Sequence, residues 1–352
     1  MHIGLLGCGL ISQYAHLFAL QKAAGIRLAG ICDLAEDLAR QVAQRWGVER
    51  WTADPRELLE DPTIDAILIA TADQHHVPNA IECLAHGKHV LVEKPLGMTV
   101  GECLPLVDAV ERSKRKLQVG NMKRFDPGIA FAHEFVAGRV GQRLSVSGWY
   151  CDSAVRPAMQ NTLRLPPLKS SAQMGFPPSF KSDKRAYKLA THGVHLVDTL
   201  RFLGGEIVAV QARFAEQYSN LSWHGLLEFD DGAIGHFELT TAIRMDWREG
   251  FCVHGEGGSV ELKTFLPFYN RPSEVLAFDA ALGEYRAPIM PDSDPYERQL
   301  EAFARAILED LPAEPDVFDG IADLAVIEAI ASSVRTGQRV EIAPLRQTTC
   351  KE

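Results

Sequence analysis

Short apolar runs alternate with segments of helical periodicity in the first third of the chain. The run at 64–70 is nearly continuous in apolar residues, as in a strand that is buried on both faces of a sheet. Further strands are predicted at 2–6, 27–32, 88–92 and 117–120, and a helical segment follows most of them. Strands that alternate with helices predict an α/β domain with a doubly wound parallel sheet over residues 1–121.

After Pro127 the pattern changes to runs that alternate polar and apolar residues. Strands are predicted at 143–151, 206–214, 226–229, 234–240, 251–254 and 259–262. Asp230-Asp231-Gly232 and the glycine-rich stretch 255–258 are turn sequences that join neighbouring runs into hairpins. Helices are predicted from about 191 to 203 and from 296 to 308. Residues 122–352 are therefore predicted to form an α+β domain with a large, mostly antiparallel open sheet.

Composition and charge exclude several classes of protein. The chain has 352 residues, of which 46% are hydrophobic and 23% are charged, which is an ordinary balance for two globular domains. A net charge of −10 argues against a nucleic acid or an anionic membrane as partner. No window of about 18 residues is wholly apolar, and Met1 leads directly into a strand pattern. The seven cysteines are scattered without a CxxC pair, which predicts a reducing, cytoplasmic location.

A glycine motif, Gly7-Cys8-Gly9-Leu10-Ile11-Ser12, lies between the first strand and a helix. In this context it is the fingerprint of a dinucleotide site: Gly7 allows a tight turn, Gly9 lets the backbone approach a pyrophosphate, and Leu10 and Ile11 open the helix whose N–H groups face it. Asp33 ends the second strand at the spacing of a ribose-binding acid. Its carboxylate would repel a 2′-phosphate and no arginine follows at once, which favours NAD over NADP. Alternatively, Asp33 only caps the next helix.

The segment Val92-Glu93-Lys94-Pro95 stands where a predicted parallel strand ends. Ligands bind at this edge of an open sheet, so Lys94 is predicted to lie over the nicotinamide half of a dinucleotide. Pro95 makes a cis Lys94-Pro95 bond tolerable. The loop after the strand at 64–70 contributes Thr71 and His76, and we predict that these two and Glu93 contact the cofactor. A surface lysine before a proline turn is the alternative for Lys94.

These motifs occur in an order that resembles the glucose–fructose oxidoreductase/inositol dehydrogenase (Gfo/Idh/MocA) family, over essentially the whole chain. The segment Lys123-Arg124-Phe125-Asp126-Pro127 most resembles that of inositol 2-dehydrogenases. The resemblance implies a two-domain NAD(P)-dependent oxidoreductase, with an N-terminal Rossmann domain, that acts on a sugar, cyclitol or similar polyol. It also implies that Lys94 contacts substrate and cofactor, and that the C-terminal sheet forms a homodimer or homotetramer. Lys123 and Arg124 are predicted to bind substrate, or else to be a solvated interdomain pair.

The predicted helix at 191–203 carries Thr191, His195 and Asp198 at i, i+4 and i+7, with His192 slightly off that face. A histidine can accept the proton of a hydroxyl while hydride leaves its carbon. The resemblance implies that His195 is the general base, typically with an aspartate four residues earlier, where this chain has Thr191. We predict catalytic roles for Lys94, His195 and Thr191 and a substrate contact for His192. Either Lys94 carries more of the proton transfer, or His192 or Asp198 helps. No metal-ligand spacing is found.

An irregular segment at about 152–188 carries seven lysines and arginines and only two aspartates. It is interpreted as a solvated loop, or as a lid whose Lys184 and Arg185 bind an anionic group of the substrate. The favoured function is reversible hydride transfer between nicotinamide C4 and a secondary alcohol of a sugar-like substrate. The alternatives are glycoside cleavage by transient oxidation with retained NAD, and a non-catalytic regulator that senses a dinucleotide.

Overall fold

A computed structural model describes residues 1–156, 164–171 and 182–344, and these form two compact units. Unit 1 consists of Met1–Asn121, Arg164–Ser182 and Tyr296–Ile321; unit 2 consists of Met122–Leu163, Asp183–Pro295 and Ala322–Glu352. The predicted division into two continuous domains, 1–121 and 122–352, does not describe the two later stretches of unit 1. Each has contacts that hold it there; for example, Glu301 accepts a 2.9 Å hydrogen bond from the Ala24 N–H.

Unit 1 has a six-stranded parallel sheet in the order β3-β2-β1-β4-β5-β6. The strands are β1 His2–Leu6, β2 Arg27–Cys32, β3 Trp51–Thr52, β4 Ala66–Ile69, β5 His89–Val92 and β6 Leu117–Val119. The helices are α1 Leu17–Leu20, preceded by a π-helical turn Ser12–His16, then α2 Glu36–Trp46, α3 Arg56–Leu59, α4 His76–Ala85 and α5 Val100–Ser113. The predicted doubly wound parallel sheet is confirmed, whereas the first helix ends at Leu20 and not near Ala24.

Unit 2 contains a nine-stranded sheet in the order β14-β13-β12-β11-β7-β10-β9-β8-β15. The strands are β7 Arg143–Ser153, β8 Ile207–Gln217, β9 Asn220–Phe229, β10 Ile234–Ile243, β11 Arg248–Gly255, β12 Gly258–Thr264, β13 Glu274–Asp279, β14 Glu284–Arg286 and β15 Val340–Glu341. β7 and β10 pair in parallel and the other neighbours are antiparallel. The predicted mostly antiparallel sheet is therefore confirmed, with both predicted hairpins.

Four helices belong to the second half of the chain: α6 Pro127–Phe135, α7 Lys184–Gly204, α8 Pro295–Leu308 and α9 Val317–Thr336. α7 begins seven residues before the predicted start, because Asp183 accepts a 3.0 Å hydrogen bond from the Ala186 N–H and caps it. The irregular segment is correspondingly shorter than 152–188. α6 and α9 were not predicted. Asp126 before Pro127 is a helix-start signal that could have revealed α6.

α7 lies against the sheet of unit 2 and makes two close approaches, one to a strand of that sheet and one to α9. A Cβ atom on Gly148 of β7 would come within 3.0 Å of Leu200 on α7. One on Gly193 of α7 would come within 2.8 Å of Ile327 on α9. The apolar face of α7 joins the core formed by the sheet, which fixes its polar residues in place. Within the described ranges, none of the helices is both long and apolar enough to cross a membrane.

Candidate active site

The glycine loop after β1 has the shape that a dinucleotide site needs. Gly7 has φ +95°, and a Cβ there would lie 2.5 Å from the carbonyl oxygen of Ala70, so only glycine fits. A Cβ on Gly9 would meet nothing within 4 Å, so the loop leaves open space at the helix start. Ser12 is fully buried, and its hydroxyl donates a 2.6 Å hydrogen bond to the Gly7 carbonyl. The loop is thereby fixed with Gly9 facing outward.

Asp33, at the end of β2, is tied to the same loop. Its Oδ2 accepts a 2.7 Å hydrogen bond from the Cys8 N–H, and its Oδ1 accepts one of 2.9 Å from the Ala35 N–H. α2 begins only at Glu36 and has no side-chain cap, so Asp33 does not cap that helix. A carboxylate has about four lone-pair sites, so further acceptor capacity remains for ribose hydroxyls.

Lys94 follows the end of β5, and the residue before it is anchored in the interior. Glu93 is 4% exposed, and it accepts hydrogen bonds from His16 Nε2 at 2.7 Å and from the Lys94 N–H at 3.1 Å. Burial by itself would raise the pKa of Glu93, but the bond from His16 and the charge of Lys94 hold that pKa below its ordinary value. The Lys94-Pro95 bond is cis. His16 was not among the predicted residues, since nothing local links it to a carboxylate 77 positions away.

Thr71 and His76, predicted as cofactor contacts, connect the ends of β4 and β5. The His76 side chain is fully buried, and its Nδ1 donates a 2.7 Å hydrogen bond to the Pro95 carbonyl. Thr71 accepts a 3.2 Å hydrogen bond from the side-chain amide of Asn79. His76 therefore holds the turn that carries Lys94, and contact of either residue with a cofactor stays a prediction.

In unit 2, α7 places its two histidines around a tyrosine of β7. The half-buried ring of His195 is parallel to that of Tyr150, with 6.0 Å between centroids, and His192 lies edge-on to the same ring at 5.7 Å. The Thr191 hydroxyl donates a 2.8 Å hydrogen bond to the Tyr187 carbonyl, so its oxygen accepts from Nδ1–H of His192 at 3.0 Å. Thr191 thus orients His192.

A charged group surrounds the other ring nitrogen of His192. Its Nε2 lies 3.2 Å from Nζ of Lys188 and 3.3 Å from Oδ2 of Asp152 on β7. Burial lowers the pKa of His192 to about 4, so the ring is neutral near pH 7. Asp152 was not among the predicted site residues, because its contact joins a strand to a helix 40 residues further along. Lys188 was not among them either, although its i, i+4 spacing to His192 on one helix is a signal that could have found it.

Lys123 is buried and Arg124 is half-buried, and each forms an ion pair with an acid within unit 2. The Lys123 ammonium bonds to the carboxylate of Glu249 and lies 5.2 Å from the centre of the Tyr150 ring. Arg124 donates hydrogen bonds of 2.6 and 2.9 Å to Asp198. The alternative of a solvated pair is therefore wrong. A substrate contact for either residue stays a prediction, and Glu249 is a partner that the sequence did not reveal.

Lys184 and Arg185, the cations predicted to form a lid, contact different groups of the protein. Lys184 donates to the Ser219 carbonyl, and the guanidinium of Arg185 lies 3.9 Å from the Phe214 ring centre. Residues 157–163 and 172–181 of that segment, with Lys181, lie outside the described residues. The described stretch 164–171 is attached to unit 1: Leu168 exchanges two hydrogen bonds with the side chain of Gln13, and Ser170 donates to Asp37.

The outward-facing glycine loop, the acid at the end of β2 and the strand order define unit 1 as a dinucleotide-binding domain of the Rossmann class. Two sequence models of one family match the chain: "Oxidoreductase family, NAD-binding Rossmann fold" over residues 1–121, and "GFO/IDH/MocA C-terminal domain" over residues 170–261. Together they span more than half of it. The chain belongs to the Gfo/Idh/MocA family of NAD-binding oxidoreductases, and the space at Gly9 and the acceptor at Asp33 fit that cofactor.

Named relatives match along nearly the whole chain. Inositol 2-dehydrogenase 2 of Saccharopolyspora erythraea is 29% identical over 356 residues, which cover 98% of this chain and 96% of the relative. The scyllo-inositol 2-dehydrogenase (NAD(+)) of Bacillus subtilis is 29% identical over 361 residues, with 98% and 97% covered. The structure of levoglucosan dehydrogenase with NADH and levoglucosan has a TM-score of 0.81 at 24% identity, and the match covers 98% of this chain and 100% of that one. At that identity the structural likeness shows the fold.

Proposed function

We propose that this protein is an NAD-dependent dehydrogenase of a sugar, cyclitol or sugar acid, which exchanges hydride between a secondary alcohol and its ketone. The relatives named inositol 2-dehydrogenase support this substrate class. The observation that carries the proposal is the anchoring of Lys94. A buried Glu93–His16 pair and the His76 bond to Pro95 hold that lysine at the ligand-binding edge of a dinucleotide fold.

In the proposed mechanism, bound NAD supplies the hydride acceptor, and side chains of this chain move the proton. The Lys94 ammonium donates a hydrogen bond to the reacting oxygen, and His195 accepts the hydroxyl proton as hydride leaves carbon. Thr191 acts indirectly, by fixing the ring of His192. Lys123, Arg124 and His192 are proposed to line the substrate side, with Lys184 and Arg185 as further candidates. The cofactor contacts are proposed for Gly7, Gly9, Leu10, Ile11, Asp33, Thr71, His76, Glu93 and Lys94.

The test is reduction of NAD by a panel of inositols, aldoses and uronic acids, followed by the absorbance of reduced nicotinamide. Lys94→Met and His195→Asn are each expected to lower kcat by about 10²- to 10⁴-fold, the usual value of acid–base groups, while NAD still binds. Lys22→Met and His86→Asn, both on exposed residues of unit 1, are the matched controls. Release of an aglycone without net NADH would support cleavage with retained NAD instead. Full activity of both variants would refute the assigned roles.

The open sheet of unit 2 is the proposed surface for a homodimer or homotetramer. Leu226 and Ile234 are 63% and 64% exposed on neighbouring strands, and Leu276 is 46% exposed on β13. Exposed apolar side chains on one sheet are typical of an interface between subunits. Light scattering of Leu226→Lys and Ile234→Lys variants tests this, since dissociation to a smaller species is expected. A cytoplasmic location is also proposed, since none of the cysteines that the structure describes forms a disulfide.

A further inference from the structure

Three charged side chains surround the imidazole of His192, and two of them are positive. Asp152 lies 3.0 Å from Nε of Arg156, although these two atoms are not aligned for a hydrogen bond. Lys188 lies one helical turn before His192, and its ammonium is 3.2 Å from Nε2 of that ring. The Asp152 side chain is 6% exposed and that of Arg156 is 26% exposed. The cluster is largely shielded from water.

The hydrogen bonds of Thr191 and Lys188 with His192 favour one neutral tautomer of the ring. Because Nδ1–H donates to Thr191, the neutral ring has its lone pair at Nε2 and accepts from the Lys188 ammonium. Lys188 is then charged and uses one of its three N–H donors on the ring. With Asp152 ionised and His192 neutral, the cluster has a net charge of about +1.

A further cation, Lys184, also acts on this cluster. Burial lowers the pKa of Lys188, the nearby charges of Arg156 and Lys184 lower it further, and that of Asp152 raises it. Such an excess of positive charge in a chain of net charge −10 favours binding of an anionic ligand at this cluster. The tyrosine ring that contacts His192 also contacts His195, so the cluster borders the proposed acid–base residue.

We propose that Arg156 and Lys188 bind a single carboxylate group of the substrate, so that this enzyme selects a sugar acid over the neutral sugar. This deepens the proposed dehydrogenase function and rests on it. A monoanion matches the net charge of the cluster, and a guanidinium with an ammonium offers the donors that a carboxylate accepts. Lys184 and Arg185, which the sequence suggested for this task, have the contacts with Ser219 and Phe214 described above.

The test compares D-glucuronate with D-glucose, in turnover with NAD and in calorimetric binding to the NAD-loaded protein. The wild type is expected to prefer glucuronate, mainly through KM. Lys188→Met and Arg156→Met are each expected to lower the ratio of kcat/KM for acid over sugar by about 10- to 100-fold, as for loss of a hydrogen bond to a charged group. Asp152→Asn adds net positive charge and is expected to raise this ratio, whereas a structural defect would lower both activities.

Lys263→Met removes an exposed lysine of β12 and is the control that keeps the ratio. Equal preference in the wild type, or a ratio unchanged in Lys188→Met, overturns the proposal. A loss in Lys184→Met as large as that in Lys188→Met moves the subsite to the first turn of α7 and also overturns it. If neither compound is oxidised, the panel of inositols, aldoses and uronic acids decides the dehydrogenase assignment separately. Glucuronate binding by calorimetry then still decides the anion subsite.

Discussion

The buried pair of His16 and Glu93 gives a quantitative test of how Lys94 is held. His16 is 1% exposed and Glu93 is 4% exposed; burial raises the pKa of Glu93, and the 2.7 Å contact with His16 lowers it. A His16→Leu variant removes this donor and leaves the carboxylate of Glu93 buried. Removing one partner of a buried pair costs about 3–5 kcal/mol of unfolding free energy. Glu93→Gln keeps the volume of the side chain, but its amide NH₂ group then faces one of the two donors, His16 Nε2 or the Lys94 N–H. This costs about 1–3 kcal/mol of unfolding free energy.

The double variant His16→Leu/Glu93→Met distinguishes an ion pair from simple packing. It removes both polar groups and replaces them by apolar side chains of similar size, which is often neutral. The Lys94 N–H loses an acceptor in this variant, at about 1 kcal/mol. The double variant is therefore expected to be more stable than His16→Leu alone. Urea unfolding of wild type, His16→Leu, Glu93→Met and the double variant gives the coupling free energy.

The pH dependence has a definite sign. Because the folded pKa of Glu93 lies below its ordinary value of 4.5, its stabilising contribution is present above that pH and is lost as the pH falls through the folded pKa. The stability difference between wild type and Glu93→Gln should accordingly shrink in acid. Strict additivity of the two single substitutions, or a cost below about 0.5 kcal/mol for His16→Leu, would refute the reasoning. We also expect kcat to fall in His16→Leu while NAD affinity stays within a few-fold.

Three further predictions concern unit 1. Gly9→Ala should weaken NAD binding in a fluorescence titration without lowering the melting temperature, because its Cβ meets nothing in the protein. Gly7→Ala should lower both NAD affinity and the melting temperature, because its Cβ would clash with Ala70 at 2.5 Å. Equal effects of the two substitutions would contradict the assigned geometry. Asp33→Asn should reduce the preference for NAD over NADP in kcat/KM, since the repelling charge is lost; an unchanged ratio would argue against that role. Hydrogen bonds from Ser170 and Ser171 lower the pKa of Asp37 to about 2. Asp37→Asn should therefore speed hydrogen exchange of residues 168–171 at neutral pH. The exchange rate of the wild type should reach that of the variant only as the pH falls from about 3.8 to 2.

The elements that sequence patterns predicted well are those whose causes are local. The glycine loop, the acid after β2 and the hairpin at Asp230-Asp231-Gly232 each have their signal within a few residues. Where the signal was weak, the prediction failed. The start of α7 is a run of lysine, arginine and tyrosine without an apolar stripe, and only the Asp183 cap marks it. α9 is apolar around much of its circumference, so it lacks the amphipathic period that reveals a helix.

The sequence by itself determined a parallel nucleotide-binding sheet followed by a mostly antiparallel one. It also indicated the candidate site residues Gly7, Gly9, Asp33, Lys94 and His195. Only the tertiary structure decided which side chains fix the candidate site residues and their neighbours in place and compensate their charges. His16 meets Glu93 across 77 residues, and Lys123 meets Glu249 across 126. The physical reason is that periodicity and turn chemistry act over one or two helical turns, whereas a buried charge is compensated by whichever partner the packed core brings next to it.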